Sequence, residues 1–171
     1  MDNNGFNYFE NSRYIDNRTQ RKTLILDVND DNSNNNISTS GTFKLNLSEP
    51  FNIDKHSDIY LDSFTTMNSK KGKDSSTTDN MVFNLKIDEF KLNPGVNNDK
   101  MMGSMIIPNE CSTDNEFTIH KGKKLNYVCS VNPTKLTHIN GKIQNIADSP
   151  SNIFNASGRF IAEFLVISKK D

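Results

Sequence analysis

The three histidines are the residues best suited to acid–base or metal chemistry, and their spacing favours neither. His56, His120 and His138 lie far apart in the sequence. A protein metal site often shows two close histidines, as in H-x-H or H-E-x-x-H, because neighbouring ligands can then face one ion. His120 opens the basic run 120–124, which is typical of an exposed turn, and His138 adjoins Ile139 in a predicted strand. The spacing therefore predicts no metal centre.

The two cysteines, Cys111 and Cys129, are the candidates for a nucleophile or a disulfide. Neither belongs to a C-x-x-C pair, and two cysteines this far apart give weak grounds for a bridge. Cys129 alternates with Tyr127 and Val131, which is typical of a small buried side chain. Cys111 lies in a loop at 109–112, which predicts exposure, but it has no evident basic partner in the sequence. We expect no catalytic cysteine and no dependence on an oxidising compartment.

Three carboxylates, Asp27, Asp30 and Asp31, offer the oxygen ligands that calcium prefers. The cluster lacks the glycine and the terminal glutamate of a loop that binds calcium on its own, so a solvated loop at a strand end is the preferred interpretation. The sequence has no G-x-S-x-G, P-loop or G-x-G-x-x-G motif. We predict no catalytic, cofactor-binding or metal-binding residues, and we predict that the protein is not an enzyme.

Composition and charge exclude several other classes. The chain has 171 residues, which suits one domain, and a net charge of -1, which gives no bulk attraction to nucleic acid. No apolar run reaches the roughly 18 residues of a membrane-spanning helix, and the first residues lack the apolar segment of a signal peptide. Only 33% of residues are hydrophobic, but they cluster with strand-like alternation, which argues against disorder.

Short apolar segments with a period of two predict an all-β domain. Polar loops with Asn, Gly and Pro separate the predicted strands, which are 23–28, 42–47, 58–64, 81–87, 105–107, 117–119, 125–131, 137–143 and 160–167. A single helical turn at 151–154 is the one helical element predicted. Eight or nine short strands favour a sandwich or a barrel.

The two ends of the chain suggest contacts with other molecules. Residues 1–20 are polar with scattered aromatics, which predicts a flexible N-terminal arm before a single domain at 21–171. The strand at 160–167 is apolar on both faces, whereas a sandwich strand with one wet face alternates with polar residues. Either its own chain covers this strand on both sides, or one face meets a partner. A long polar loop is predicted at 68–80.

Five segments resemble the penton-type single jelly-roll capsid proteins of large double-stranded DNA viruses. They are RKTLILDVND (21–30), NIDKHSDIYLDSFTTMN (52–68), MIIPNE (105–110), HKGKKLNYVCSVNPTKL (120–136) and GRFIAEFLVISK (158–169). The resemblance implies an eight-stranded single jelly-roll sandwich. It also implies a homopentamer at the icosahedral five-fold vertices, surrounded by major and minor capsid proteins. It implies a place in the virion capsid, with assembly in the host cytoplasm, and no catalytic residues.

Two other interpretations stay open. One is a minor capsid or cement protein of the same fold. The other is a jelly-roll module that binds a receptor or a glycan, since this fold also carries sugar sites at its loops. A glycan site usually needs an exposed aromatic ring with Asp and Asn in one loop region, whereas Tyr60 and Tyr127 lie in predicted strands. The expectation of five copies comes from the resemblance alone.

Overall fold

The computed structural model describes residues 19–29, 37, 41–72, 81–90, 104–113, 116–145 and 153–169. The strands in these ranges are β1 (Thr19–Asn29), β2 (Thr42–Ile53), β3 (Ser57–Ser69), β4 (Val82–Ile87), β5 (Ser104–Pro108), β6 (Glu116–Val131), β7 (Thr134–Gln144) and β8 (Phe154–Lys169). A 3-10 turn at Asp88–Phe90 follows β4. None of the described residues forms a helix that is long and apolar enough to span a membrane.

Two antiparallel sheets pack together as a sandwich, which confirms the prediction of an all-β sandwich. Sheet I has the strand order β1-β8-β3-β6, and sheet II has the order β2-β7-β4-β5. Aromatic rings join the two sheets across the core. Phe43 of β2 meets Phe160 of β8 with ring centroids 5.3 Å apart, and Phe64 of β3 meets Phe83 of β4 at 5.5 Å. One continuous apolar core therefore lies between the sheets.

Alternation along the strands decides which side chains enter this core. In β4, Phe83, Leu85 and Ile87 are buried, and the residues between them are half-buried. β8 also buries alternate side chains, and one of its two apolar faces enters the core: Phe160, Ala162, Phe164 and Val166. Burying a side chain of this size stabilises a fold by about 1.5–3 kcal/mol. The alternation predicted for β4 is confirmed, and the structure shows which of the two apolar faces of β8 enters the core.

β6 differs from the prediction, because one strand runs where a short strand, a basic turn and a second strand were expected. The expected turn at 120–124 lies within β6. β3 pairs with the first two residues of this turn, Ser63 with Lys121 and Phe64 with His120, and the register then shifts, because the next pair is Leu61 with Asn126. The extension of β3 to Ser69 offers partners to the first part of β6. Tertiary pairing therefore lengthens the strand, and the rest of the expected turn lies at an irregularity within it. Charged residues are also common on edge strands such as β6.

Several other elements begin or end at residues that differ from the predicted ones. β2 continues through Pro50 to Ile53, with an irregular register between Asn46 and Phe51, which an edge strand tolerates. The predicted helical turn at 151–154 is wrong in its described half, because Phe154 begins β8. β1 begins at Thr19, inside the predicted arm, and the rest of that arm lies outside the described residues. The predicted loop at 68–80 is described only up to residue 72, and β3 extends into it.

Candidate assembly surface

The structure does not bring the three histidines together. His56 precedes β3, and its Nδ1 lies 3.2 Å from Asn132 Oδ1. His120 is opposite Phe64 in sheet I, whereas His138 lies on β7 in sheet II. In the part of the chain that the structure describes, no group of three or more His, Cys, Asp or Glu side chains is arranged to hold a metal ion.

Asp27, the first of the three clustered carboxylates, contacts an arginine on the neighbouring strand. Arg159 Nε donates to Oδ1 over 2.7 Å, and Arg159 Nη2 donates to Oδ2. The hydrogen bonding and then the charge of Asp27 raise the pKa of Arg159, so the guanidinium stays charged. Asp30 and Asp31 lie outside the described residues. In the structure, Asp27 therefore forms a bidentate ion pair with Arg159 that joins β1 to β8.

Both cysteines are free and buried, which confirms the prediction for Cys129 and contradicts the exposure predicted for Cys111. Cys111 is only 4% exposed. Its Sγ lies 2.9 Å from Ser69 Oγ at the end of β3, and its N–H donates to Asn109 Oδ1. Burial, and then the charge of Asp58, raise the pKa of Cys129 to about 12. A buried, protonated thiol is a poor nucleophile, so the role of Cys129 is packing.

The outer face of sheet I carries most of the exposed large apolar side chains of the described residues. Four of the six lie there: Ile25 (58% exposed), Phe117 (68%), Ile119 (50%) and Tyr127 (55%). Half-buried residues of the central strands fill the space between them. We name the whole set the apolar outer face: Ile25, Tyr60, Met67, Phe117, Ile119, Tyr127, Ile161, Leu165 and Ile167. Contiguous apolar patches of this kind mark interaction sites, whereas single exposed apolar residues do not.

The strand register arranges this surface in rows. One row reads Thr23, Leu165, Tyr60, Tyr127, and another reads Asp27, Ile161, Thr65, Ile119. Glu163 and Ser63 lie in the row between these two, where Ser63 Oγ donates to Glu163 Oε2 over 3.2 Å. Ile25 on β1 takes the register position opposite Glu163, so this middle row is apolar at the β1 edge and polar at the centre of the sheet.

A bulge in β6 turns Tyr127 outward. Ile59 pairs with Cys129, but the next residue of β3, Tyr60, pairs with Tyr127, so Val128 is the extra residue of β6. One extra residue reverses which face the following side chains occupy. Cys129 is therefore buried and Tyr127 exposed, although the sequence predicted both on one face. The rings of Tyr60 and Tyr127 meet edge-on with centroids 5.7 Å apart.

Hydrogen bonds fix the orientation of this tyrosine. The hydroxyl of Tyr127 lies 2.9 Å from Ser130 Oγ, and Ser130 donates to Asp58 Oδ1 over 2.5 Å. No sequence pattern indicated this cluster, because Asp58 joins Tyr127 and Ser130 only through the pairing of β3 with β6. One side of the Tyr127 ring packs on Tyr60, and the rest of the side chain stays accessible.

The doubly apolar strand β8 has one face in the core and the other on this surface. Sheet II covers the inward face, and no described strand packs over the outward one. No family model matches the chain, and no curated protein matches it at a significant level. The strand order and the apolar outer face are therefore the observations from which a function can be argued.

Proposed function

We propose that this chain is a structural capsid subunit, similar to the penton proteins that form homopentamers at the five-fold vertices of large double-stranded DNA viruses. The proposal includes an eight-stranded single jelly roll as the fold. Its partners are then copies of itself together with neighbouring major and minor capsid proteins. Its location is the virion capsid, after assembly in the host cytoplasm.

The strand order supports the jelly roll. The pairs β1–β8, β2–β7, β3–β6 and β4–β5 are nested like one long hairpin. Successive pairs alternate between sheet I and sheet II, and the pairings β3–β8 and β4–β7 complete the two sheets. A long hairpin rolled over itself into two four-stranded sheets is the arrangement expected of a jelly roll.

The apolar outer face is the observation that carries the assembly role. Burying one large apolar side chain contributes about 1.5–3 kcal/mol, and four such residues lie exposed on this surface. Contact with another subunit would remove them from water. The predicted N-terminal arm joins β1 at Thr19, which lies on an edge strand of the same sheet. We propose that this arm also contacts neighbouring subunits.

The mass of the full chain in solution tests the proposal. We expect light scattering to give about five times the 19.4 kDa chain mass. Tyr127→Lys and Ile25→Lys place a charge on the apolar outer face and should shift the protein towards monomer. Glu110→Lys, in an exposed loop, is the matched control and should leave the mass unchanged. Wild-type protein that stays monomeric and is not incorporated into particles would contradict the capsid role.

The exposure of Tyr127 favours a second candidate, a jelly-roll module that binds glycans or receptors. A sugar ring packs on an exposed aromatic face, and the carboxylate of Asp58 lies within the same hydrogen-bonded cluster. A monomeric wild type that binds immobilised glycans, and loses binding in Tyr127→Ala, would support this candidate. A monomer without glycan binding that enters particles would instead favour a minor capsid or cement protein.

A further inference from the structure

We infer that the apolar outer face of one copy packs against the outer face of sheet II of the next copy, with Glu163 opposite the lysines of sheet II. This inference rests on the proposed function, because it names the two surfaces through which the copies assemble. It commits to a second copy of this chain as the partner.

The outer face of sheet II is basic at its centre. We name Lys44 on β2, Lys86 on β4 and Lys142 on β7 the lysine cluster. Lys142 pairs directly with Lys86, and Lys44 pairs with Asn140, two residues from Lys142. β7 and β4 are the two central strands of the sheet. A carboxylate that a partner places against these two strands would be attracted to the lysine cluster.

Few carboxylates accompany the lysine cluster on sheet II. Its strands contain one carboxylate, Glu49, which lies in the irregular stretch of β2. Glu89, after β4, accepts hydrogen bonds from the backbone N–H and from Nδ2 of Asn140, at 2.9 and 3.0 Å. Within the described ranges, Lys44 and Lys142 form no ion pair.

Sheet I has carboxylates at its centre, and the arginine of its central strand β8, Arg159, is paired with Asp27. Glu163 lies on β8 and Asp58 on β3, the two central strands of that sheet. Both carboxylates accept hydrogen bonds from hydroxyl groups, from Ser63 and Ser130. Lys121 takes the register position opposite Ser63, but on the edge strand β6, at the rim of the surface.

Sheet II is also accompanied by exposed apolar side chains. Met81 (47% exposed) and Ile106 (49%) are the two exposed large apolar residues, among those described, that lie outside the apolar outer face. Ile106 lies on β5 and Met81 immediately precedes β4, so both accompany the strands of sheet II. Each surface therefore combines apolar side chains with a charged centre, and the charges are opposite. Such complementarity fixes register and excludes wrong partners.

The position of the two surfaces explains why the partner is a second copy. They lie on opposite sides of one sandwich, so every copy can present one surface and receive the other. Such a contact is heterologous, and it closes into a ring when the rotation between neighbours fits. A surface that is both apolar and self-complementary would instead give a two-fold dimer.

Charge reversal in the full chain tests the inference. Glu163→Lys and Lys142→Glu should each raise the dissociation constant of the assembly by at least about 30-fold, because each leaves like charges in contact. The double variant should recover to within roughly threefold of wild type, since the pair is restored with inverted sign. Glu110→Lys makes the same change in an exposed loop and should have no effect. Thermal unfolding checks that each variant is folded.

Mixing the two single variants gives an independent test. Each variant alone brings like charges together, but every contact between unlike variants pairs Lys with Glu. The mixture should therefore associate at concentrations at which neither component alone does. A ring of five cannot alternate two kinds of subunit throughout, so the mixture should form fewer closed rings than the double variant.

The outcomes separate this inference from the proposed function. If wild type forms the pentamer and neither reversal weakens it, the inference is wrong and the capsid role stands. If both reversals weaken assembly but neither the double variant nor the mixture restores it, Glu163 and Lys142 contact other groups and the inference is also wrong. A wild type that is monomeric at all concentrations overturns the inference, and incorporation into particles then decides the capsid role.

Discussion

Phe43 lies against Gly141, its register partner on the neighbouring strand β7. A Cβ atom added at Gly141 would lie 2.4 Å from Phe43 Cζ and 2.4 Å from the backbone oxygen of Lys86. The same Phe43 ring reaches across to Phe160 in sheet I. The absence of a side chain at this position therefore lets one aromatic ring pack on its own sheet and on the opposite one.

Gly141→Ala should destabilise the fold, because the added methyl group has to displace Phe43 or the β4 backbone. Overpacking of this kind typically costs about 1–3 kcal/mol of unfolding free energy. Urea denaturation measures the change. Asn46→Ala, at an exposed position of β2, is the control and should change stability by less than about 0.5 kcal/mol. A Gly141→Ala variant as stable as wild type would contradict the close packing.

Ser69 joins two buried polar side chains at the end of β3. Its Oγ lies 3.1 Å from Thr66 Oγ1 and 2.9 Å from Cys111 Sγ. Ser69→Ala removes one partner from each, and loss of a buried hydrogen bond costs about 1–3 kcal/mol. Ser48→Ala, at an exposed position, should cost far less. We also expect faster labelling of the Cys111 thiol in Ser69→Ala, and unchanged stability and labelling would show that the cluster is unimportant.

Loss of the proton from the Cys129 thiol should lower the free energy of unfolding at high pH. Burial, and then Asp58, raise its pKa from 9.0 to about 12. The folded state therefore holds the proton more tightly than the unfolded chain, and this stabilisation is complete below about pH 9 and lost as the pH rises towards 12. Cys129→Ala lacks this contribution, so the stability gap between wild type and Cys129→Ala should narrow over that window. A gap that stays constant in urea denaturation between about pH 8 and about pH 10.5 would contradict the shift.

The Arg159–Asp27 ion pair should depend on the shape of the guanidinium group. Two of its nitrogens contact two carboxylate oxygens, whereas a lysine offers a single point of contact. Because the pair is partly exposed, Arg159→Lys should lower the unfolding free energy by no more than about 1 kcal/mol. The effect should shrink at high salt. Arg21→Lys on the same sheet is the control, and an equal loss in both variants would argue against a specific pair.

The part of the fold that could be predicted depends on local alternation. Phe43 and Leu45 in β2, and Phe83 and Leu85 in β4, are buried as their spacing of two predicts. In these segments polar residues occupy the other face, so the sequence itself distinguishes inside from outside. The inward face of β8 could not be chosen in this way, because both of its faces are apolar.

The exposure of Tyr127 and the burial of Cys111 could not be predicted, because both depend on distant segments. Tyr127 faces outward through a bulge that is defined by the pairing of β6 with β3. Cys111 is buried beside Ser69, which lies 42 residues earlier in the chain. Loop-like sequence around Cys111 indicates exposure, and only the packing of the end of β3 against this loop reverses it.

The apolar outer face was partly predictable. The doubly apolar strand at 160–167 allowed two interpretations, cover on both sides by its own chain or contact with a partner, and no described strand covers its outward residues. The exposure of Ile25 could not be predicted, because the run TLILDV has apolar residues on both faces and no alternation distinguishes the exposed face. Phe117 and Ile119 belong to a strand whose outward direction follows from its register with β3.

The nested strand pairing also means that the first strand, β1, has to wait for the last strand, β8, before the two can pair. Asp27 and Arg159, which join β1 to β8, are 132 residues apart in sequence. Closing so long a loop lowers chain entropy before any contact forms, so folding of such topologies is slow, on the order of milliseconds to seconds. During synthesis, β1 emerges long before β8 can pair with it. The apolar residues of β1, Leu24, Leu26 and Val28, remain exposed for that interval, so we expect the newly made chain to depend on chaperones to avoid aggregation.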